Sequence, residues 1–290
     1  MVGGPLPSAL RWLIGVELSH YRNQSGRTAS AAAKHIGSSQ GRLSHLEAGR
    51  NQQQPDVVEA LLKFYGASTA DTNRLVALAG TDYDQSWFAP WADVAPDWLH
   101  ILIGLERLAS KIWTYSTSVF PAMLQTEGYS LGVTEGQPRV RPDRVDQLVA
   151  LRMERQRPVY QRDQPTELTS FLEESVVDRP PTRYGENGGW ALLRGQLEQA
   201  LAAASRPTIE VRVVPTAAGP HPAIPGGPFT LLDFRLAQSV VYAEGSDNAV
   251  YVHSREQVRG YHRLVEQLQD VALSPADTID FLRARIARLS

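Results

Sequence analysis

Gln40, Gly41, Arg42, Ser44 and His45 crowd into one short stretch, and none of them is apolar. Their chemistry is hydrogen bonding and charge: an amide that donates and accepts, a guanidinium, a hydroxyl and an imidazole. Gly41 adds a place where a backbone can come close. Such a set suits contact with base edges and phosphates. Leu43 and Leu46, three apart, interrupt it and point the other way on a helix. Ser39 is a good N-cap for that helix. Arg50 and Asn51 follow it directly.

A second short helix must precede this one. Thr28 caps it, and Ala31, Ala32, Ala33 and Ile36 make it small and apolar. Gly37 supplies the turn, where positive φ is cheap only for glycine. Two short helices around a tight turn form a helix-turn-helix whose second helix enters the DNA major groove. Gln40 and Gly41 are then at its exposed N-terminal end. Gln40 can present its amide to the N6 and N7 groups of adenine. Gly41 permits approach and reads little, while Ser44 and His45 lie one turn on. Arg42 and Arg50 suit phosphates, with Thr28 at the start of the preceding helix. A plain helical hairpin packing a core would share this pattern. The flanks favour the DNA reader: Leu10, Leu13, Ile14, Leu18 and Tyr21 have helical spacing upstream. Pro55, Val57, Val58, Leu61, Leu62 and Tyr65 make another amphipathic helix before Gly66.

Residues from about 9 to 66 resemble the Cro/repressor (XRE) family of helix-turn-helix domains. The phrase IGSSQGRLSHLEAGR carries the resemblance. It implies an ion pair between an arginine late in the first helix and the glutamate ending the recognition helix, here Arg22 and Glu47. Ala29 stands where a glutamine is usual, so one phosphate or base contact is expected to be missing. Arg27 stands where an apolar residue is usual, so a looser core is expected there.

The chain has 290 residues, too many for one such domain, and two domains are expected: 1–80 for DNA and 81–290 for regulation, dimerisation and partner binding. No run approaches the roughly 18 apolar residues of a membrane span. Met1 to Ser8 is too short and uncharged for a signal peptide. There is no cysteine, which excludes disulfides, zinc–cysteine sites and thiol nucleophiles and suits a reducing cytoplasm. Residues 1–66 carry seven Lys/Arg against four Asp/Glu, a charge of +3, and the remainder carries −5. A modestly basic small domain on an acidic body fits a protein that touches DNA with one end.

Beyond Gly66, Asp71–Ala79 reads as a helix. Thr81–Asp97, with Tyr83, Trp87 and Trp91, reads as an ordered connection whose aromatics dock on the next domain. Helical spacing then runs from Trp98 to Tyr115, Met123 to Val133, Arg141 to Tyr160, Trp190 to Ala204, Arg255 to Ala272 and Pro275 to Arg288. Thr166–Leu172, Thr208–Val214, Phe229–Phe234, Val240–Ala243 and Ala249–Val252 read as strands. The predicted fold is a mainly α N-terminal domain of four to five helices, then an α+β domain with a small antiparallel sheet.

The segments WLHILIGLE, FPAMLQTEGY, LRMERQ, FLEESVV, IEVRVVP, GGPFTLLDF and VVYAEG are similar to the large C-terminal domain of actinobacterial XRE-type regulators, WhiJ-like developmental regulators among them. That domain is of unknown function and is sometimes described as antitoxin-like. The resemblance implies a small protein partner encoded by a neighbouring gene.

Catalytic motifs are missing: no His-Glu-x-x-His, no nucleophile elbow, no P-loop and no dinucleotide fingerprint. Gly185, Gly188 and Gly189 lie in a loop that follows no strand. The seven histidines show no metal spacing, so neither metal nor cofactor is expected. Gln125, Glu174, His221 and Glu244 are candidates for a ligand or partner pocket. The plainer reading of the carboxylates, Glu173 included, is that they cap helices or pair with arginines. The proline-rich loop 215–228 reads equally as a binding loop or a stiff crossing. The run Arg139, Arg141, Arg144, Arg152, Arg155 and Arg157 reads as a solvated helix face, or else as a dock for an acidic partner.

The leading functional reading is a dimeric, sequence-specific transcription regulator of double-stranded DNA, controlled through its second domain. An alternative is an antitoxin-like protein that sequesters a small partner and regulates its own operon. A DNA-tethered enzyme is the third reading, and the missing motifs weigh against it.

Overall fold

The computed structural model describes residues 8–81, 86–182, 186–245 and 248–289. The chain divides into two compact units, one running through Leu108 with Asp233–Ser239 added, the other built from Ala109–Leu232 and the chain from Val240 onward.

The first unit is helical. Its elements are α1 (Ala9–Gln24), α2 (Ala29–His35), α3 (Gln40–Glu47), α4 (Pro55–Tyr65), α5 (Thr69–Ala79) and α6 (Asp97–Leu108). Ser8, Thr28, Ser39 and Ser68 each accept a backbone N–H at the starts of α1, α2, α3 and α5, so local sequence sets four helix starts. Gly66 ends α4 in the left-handed conformation, φ 76°. One core joins five helices: Leu10, Ile14, Leu18 and Tyr21 from α1, Ala32 and Ala33 from α2, Leu43 from α3, Val58, Leu61, Leu62 and Tyr65 from α4, Leu75 and Leu78 from α5.

The Arg27 position does not open this core. Arg27 stays exposed and lays its guanidinium 4.6 Å from the centre of the Phe64 ring, and His35 stacks on the same ring at 4.3 Å. The aromatic connection packs onto α6. Trp87 lies under the guanidinium of Arg107 at 3.9 Å, and Phe88 meets His100 edge-on. Both partners are on α6, inside the 81–290 stretch on which the aromatics are expected to dock; α6 itself falls within the first compact unit and packs on α1. Tyr83 and Gly185 lie outside the described residues.

The second unit carries β1 (Lys111–Ser116), α7 (Glu127–Glu135), α8 (Val145–Arg155), α9 (Arg157–Tyr160), β2 (Glu167–Glu173), α10 (Glu174–Val177), α11 (Trp190–Ala204) and β3 (Ile209–Val214). Then follow β4 (Phe229–Asp233), β5 (Val240–Glu244), β6 (Ala249–Val252), α12 (Arg255–Val271) and α13 (Pro275–Arg288). The sheet corrects the prediction of a small antiparallel one. It has six strands in the order β3-β2-β1-β4-β5-β6. β1–β2 and β2–β3 are parallel, with Tyr115 opposite Phe171 and Leu168 opposite Ile209. β4–β5 and β5–β6 are antiparallel.

The missing strand, β1, was hidden inside an apparent helix. The apolar spacing of α6 continues through Ile112, but the helix stops at Leu108 and the chain enters the sheet. β1 buries Ile112, Thr114, Tyr115 and Ser116, so it lacks the alternation of a half-exposed strand. Parallel pairing then follows from the long connections through α7–α9 and α10–α11. The predicted helix 141–160 is also broken. A 3-10 turn, Pro142–Arg144, precedes α8, and α9 begins anew ahead of Pro158, which has no N–H to extend α8.

Candidate nucleic-acid interface

α3 is one-sided. Leu43 and Leu46 are buried, while Gln40, Gly41, Arg42, Ser44 and His45 are exposed. The turn ahead of it closes through Ser38 N–H to Ala33 O at 2.8 Å, with Gly37 at φ 61°. Ser39 Oγ accepts the N–H of Arg42 at 3.2 Å, and Thr28 Oγ1 accepts that of Ala31 at 3.1 Å. Each hydroxyl thus holds a helix start and keeps its own proton to donate outward. Beyond α3, the N–H groups of Arg50 and Asn51 both reach His45 O, at 2.9 and 3.3 Å. Arg50 is exposed and Asn51 half-buried beside the end of the helix.

The back of α3 is fixed to α1 by contacts of several kinds. Arg22 gives two parallel hydrogen bonds to Glu47, Nε to Oε1 at 2.6 Å and Nη2 to Oε2 at 2.9 Å. The two side chains are only 17% and 12% exposed. The Glu47 hydrogen bond raises the guanidinium pKa of Arg22. Burial, and then Glu47, push the Tyr65 hydroxyl well above its ordinary value. Gly15 lies directly under the last turn of α3, where any Cβ would collide with the carbonyls of Leu46 and Glu47. Gly49, at φ 69°, would meet the backbone of Arg11 in the same way. Gln53, 2% exposed, ties both helices by donating to Arg11 O and Leu46 O, at 2.9 and 2.7 Å.

Sequence reasoning missed Gly15, Gly49 and Gln53. A glycine amid the apolar spacing of α1 is the one available hint of a close approach. It also missed Glu17, 3% exposed, which takes both Nη atoms of Arg74 at 2.8 and 2.6 Å and the N–H of Gln238 at 3.0 Å.

In the second unit the four pocket candidates make four separate sets of contacts. His221, buried on the loop after β3, places Nε2 at 2.8 Å from Glu173 Oε1, the same oxygen that accepts the Tyr115 hydroxyl at 2.7 Å. Burial, and then that carboxylate, raise the Tyr115 pKa. Glu174 does not join them: it accepts Thr216 N–H at 2.8 Å and binds Arg285, the plain structural role. Gln125 is buried and accepts from Arg152 Nη1 at 3.2 Å. Glu244 accepts the Tyr242 hydroxyl at 2.9 Å. Arg152 also leaves the expected solvated face, turning inward among Gln125, Ser130 and Thr134. Among the described residues no cluster of three or more His, Cys, Asp or Glu side chains could hold a metal ion. No helix among them is long and apolar enough to cross a membrane.

Residues 13–75 match the family of helix-turn-helix domains. Residues 99–284, well over half of the chain, match the family described as Domain of unknown function (DUF5753). No curated protein and no solved structure matches the chain. With a helix-turn-helix ahead of a stretch that fills most of its length, the chain belongs to the DUF5753 family.

Proposed function

We propose that this protein is a sequence-specific transcription regulator that reads double-stranded DNA with α3. One observation carries the reading: α3 presents Gln40, Gly41, Arg42, Ser44 and His45 together on an exposed face, while its other face is locked to α1. The helix-turn-helix match supports DNA binding itself. Gln40 reads a base, and Ser44 and His45 touch its neighbours. Thr28, Ser39, Arg42, Arg50 and Asn51 hold the phosphates. A +3 stretch over residues 1–66 gives one copy limited non-specific attraction, which favours a two-fold dimer on half-sites about 34 Å apart or a multiple of that. The division of labour is DNA reading by residues 1–80 and control by the remainder, in the cytoplasm.

The test is selection of bound sequences from a random DNA pool by the full chain, followed by light scattering of free and bound protein. A recovered inverted repeat bound by two chains supports the reading. Recovery of no shared sequence, or tight binding of one half-site by a monomer, would overturn it.

A further inference from the structure

We propose that Arg152 forms the base of a binding site for a small oxyanion, a carboxylate or a phosphate, in the second unit. The proposal rests on reading that unit as the one that receives a signal, and it supplies the class of the signal.

Arg152 departs from α8 between buried Val149 and Leu151 and the half-buried Met153. Its Nη1 sits among four neutral oxygens: Ser130 Oγ at 2.8 Å, Thr134 Oγ1 at 3.0 Å, Gln125 Oε1 at 3.2 Å and Ser130 O at 3.4 Å. No carboxylate among the described residues pairs with it, and Nε and Nη2 make no hydrogen bond to them. Neither atom is fully shielded from solvent, although the side chain as a whole is largely buried. Nε–H and Nη2–H are parallel donors, the fork that grips a carboxylate or phosphate with two bonds.

Other partly buried arginines are matched with acids. Arg22 has Glu47, Arg74 has Glu17, and Arg285 has Glu174 and Asp178. Arg152 is a cation withdrawn from water whose hydrogen bonds all go to neutral groups, with Glu244 near enough to act on it only through space, and that burial costs free energy that an anion on the fork would offset. Burial, and then Arg155, lower its pKa to about 10, while Glu244 opposes the shift. It therefore remains charged at neutral pH.

The tethers are themselves fixed. Gln125 Nε2 donates to Phe120 O at 2.6 Å, and Gln156 Nε2 donates to Ala122 O and Gln125 O, both at 2.8 Å. Arg152 and Gln156 lie one helical turn apart and clamp the 120–134 segment together. The fork is thus held in place before any ligand arrives, which lowers the entropy lost on binding.

The test uses the full chain and two probes, inorganic phosphate and acetate, each titrated against chloride at constant ionic strength. The readouts are the arginine Nε–H NMR spectrum and the melting temperature. The expected result is saturable movement of the Arg152 Nε–H signal, with a rise in melting temperature, for one probe or both. Phosphate alone marks a phosphate ligand, and acetate alone marks a carboxylate. Arg152→Lys keeps the charge and removes the fork, and should raise the half-saturating concentration at least about tenfold. No saturable movement with either probe overturns the proposal, as does an unchanged response in Arg152→Lys. If that variant does not fold, the wild-type titration decides, because contacts with Ser130 and Thr134 assign the signal. DNA selection without either anion is run separately, so its failure removes the DNA reading and leaves the anion result standing.

Discussion

The guanidinium of Arg22, in the last turn of α1, grips the carboxylate of Glu47, the last residue of α3, through two bonds of 2.6 and 2.9 Å. The pair sits behind the exposed face of the recognition helix, where it sets the angle at which α3 leaves the core. Taking away one partner leaves the other charge in a mostly dry site. Glu47→Ala should cost roughly 3 kcal/mol. The check is a thermal melt of Glu47→Ala, Arg22→Ala and the double variant. An additive double variant would mean that the pair contributes nothing of its own.

Two glycines on opposite sides of the same architecture should respond oppositely to alanine. Gly15→Ala places a methyl into the backbone of Leu46 and Glu47 and should lose at least about 1–3 kcal/mol, together with DNA affinity. Gly41 faces open space, with nothing within 4 Å of an added Cβ. Gly41→Ala should gain about 0.5–1 kcal/mol of stability from helix propensity. Its methyl lies on the face assigned to DNA, so affinity should fall while stability rises. Chemical denaturation and a DNA titration on the same samples separate the two effects.

Gln40→Ala should relax preference at one base position by about 1–3 kcal/mol and leave the salt dependence nearly intact. Arg50→Ala should weaken all sites alike and reduce the salt slope by about one unit. Matched and mismatched sites titrated at several salt concentrations decide between them. Uniform weakening by Gln40→Ala, or a changed base preference in Arg50→Ala, would place α3 wrongly in the groove.

Gln196 is fully buried on α11 and spans two backbone groups, accepting Thr126 N–H at 2.8 Å and donating to Leu124 O at 2.7 Å. Gln196→Leu keeps the bulk and strands both groups. The expected loss is roughly 2–4 kcal/mol. An unchanged melt would mean that water replaces the amide.

Five tyrosines, Tyr65, Tyr115, Tyr129, Tyr160 and Tyr242, have raised pKa values, each chiefly through burial. Folded hydroxyls therefore keep protons that the unfolded chain loses near pH 10. Between the unfolded and folded pKa values the native state binds more protons, so stability falls as pH rises above about 10 and is complete below it. Absorbance at the phenolate band should show these tyrosines titrating together with unfolding. Smooth titration of all ten, ahead of any loss of circular dichroism, would contradict it.

The helix-turn-helix was legible because its signals are local. A capping serine or threonine, a glycine turn and leucines three apart act within a few residues, and the structure starts α2 and α3 where those caps stand. Both edges of α11 and the start of α13 were legible for the same reason, set by Gly189, Ser205 and the Ser274–Pro275 pair. β1 was not. Its residues continue the apolar spacing of α6, and only pairing with β2, more than fifty residues later, makes Lys111–Ser116 a strand. Nor could composition distinguish Arg152 from its exposed neighbours Arg141 and Arg157. A charge in a helical run reads as solvated until a distant loop supplies the oxygens that surround it. Likewise Glu173, not its neighbour Glu174, meets His221, because the last residue of β2 and the loop after β3 come together only across the sheet. Helix starts and the exposed polar face of α3 are decided by neighbours in sequence. Strand partners, and the company a buried charge keeps, are decided by contacts that form only when the chain closes on itself.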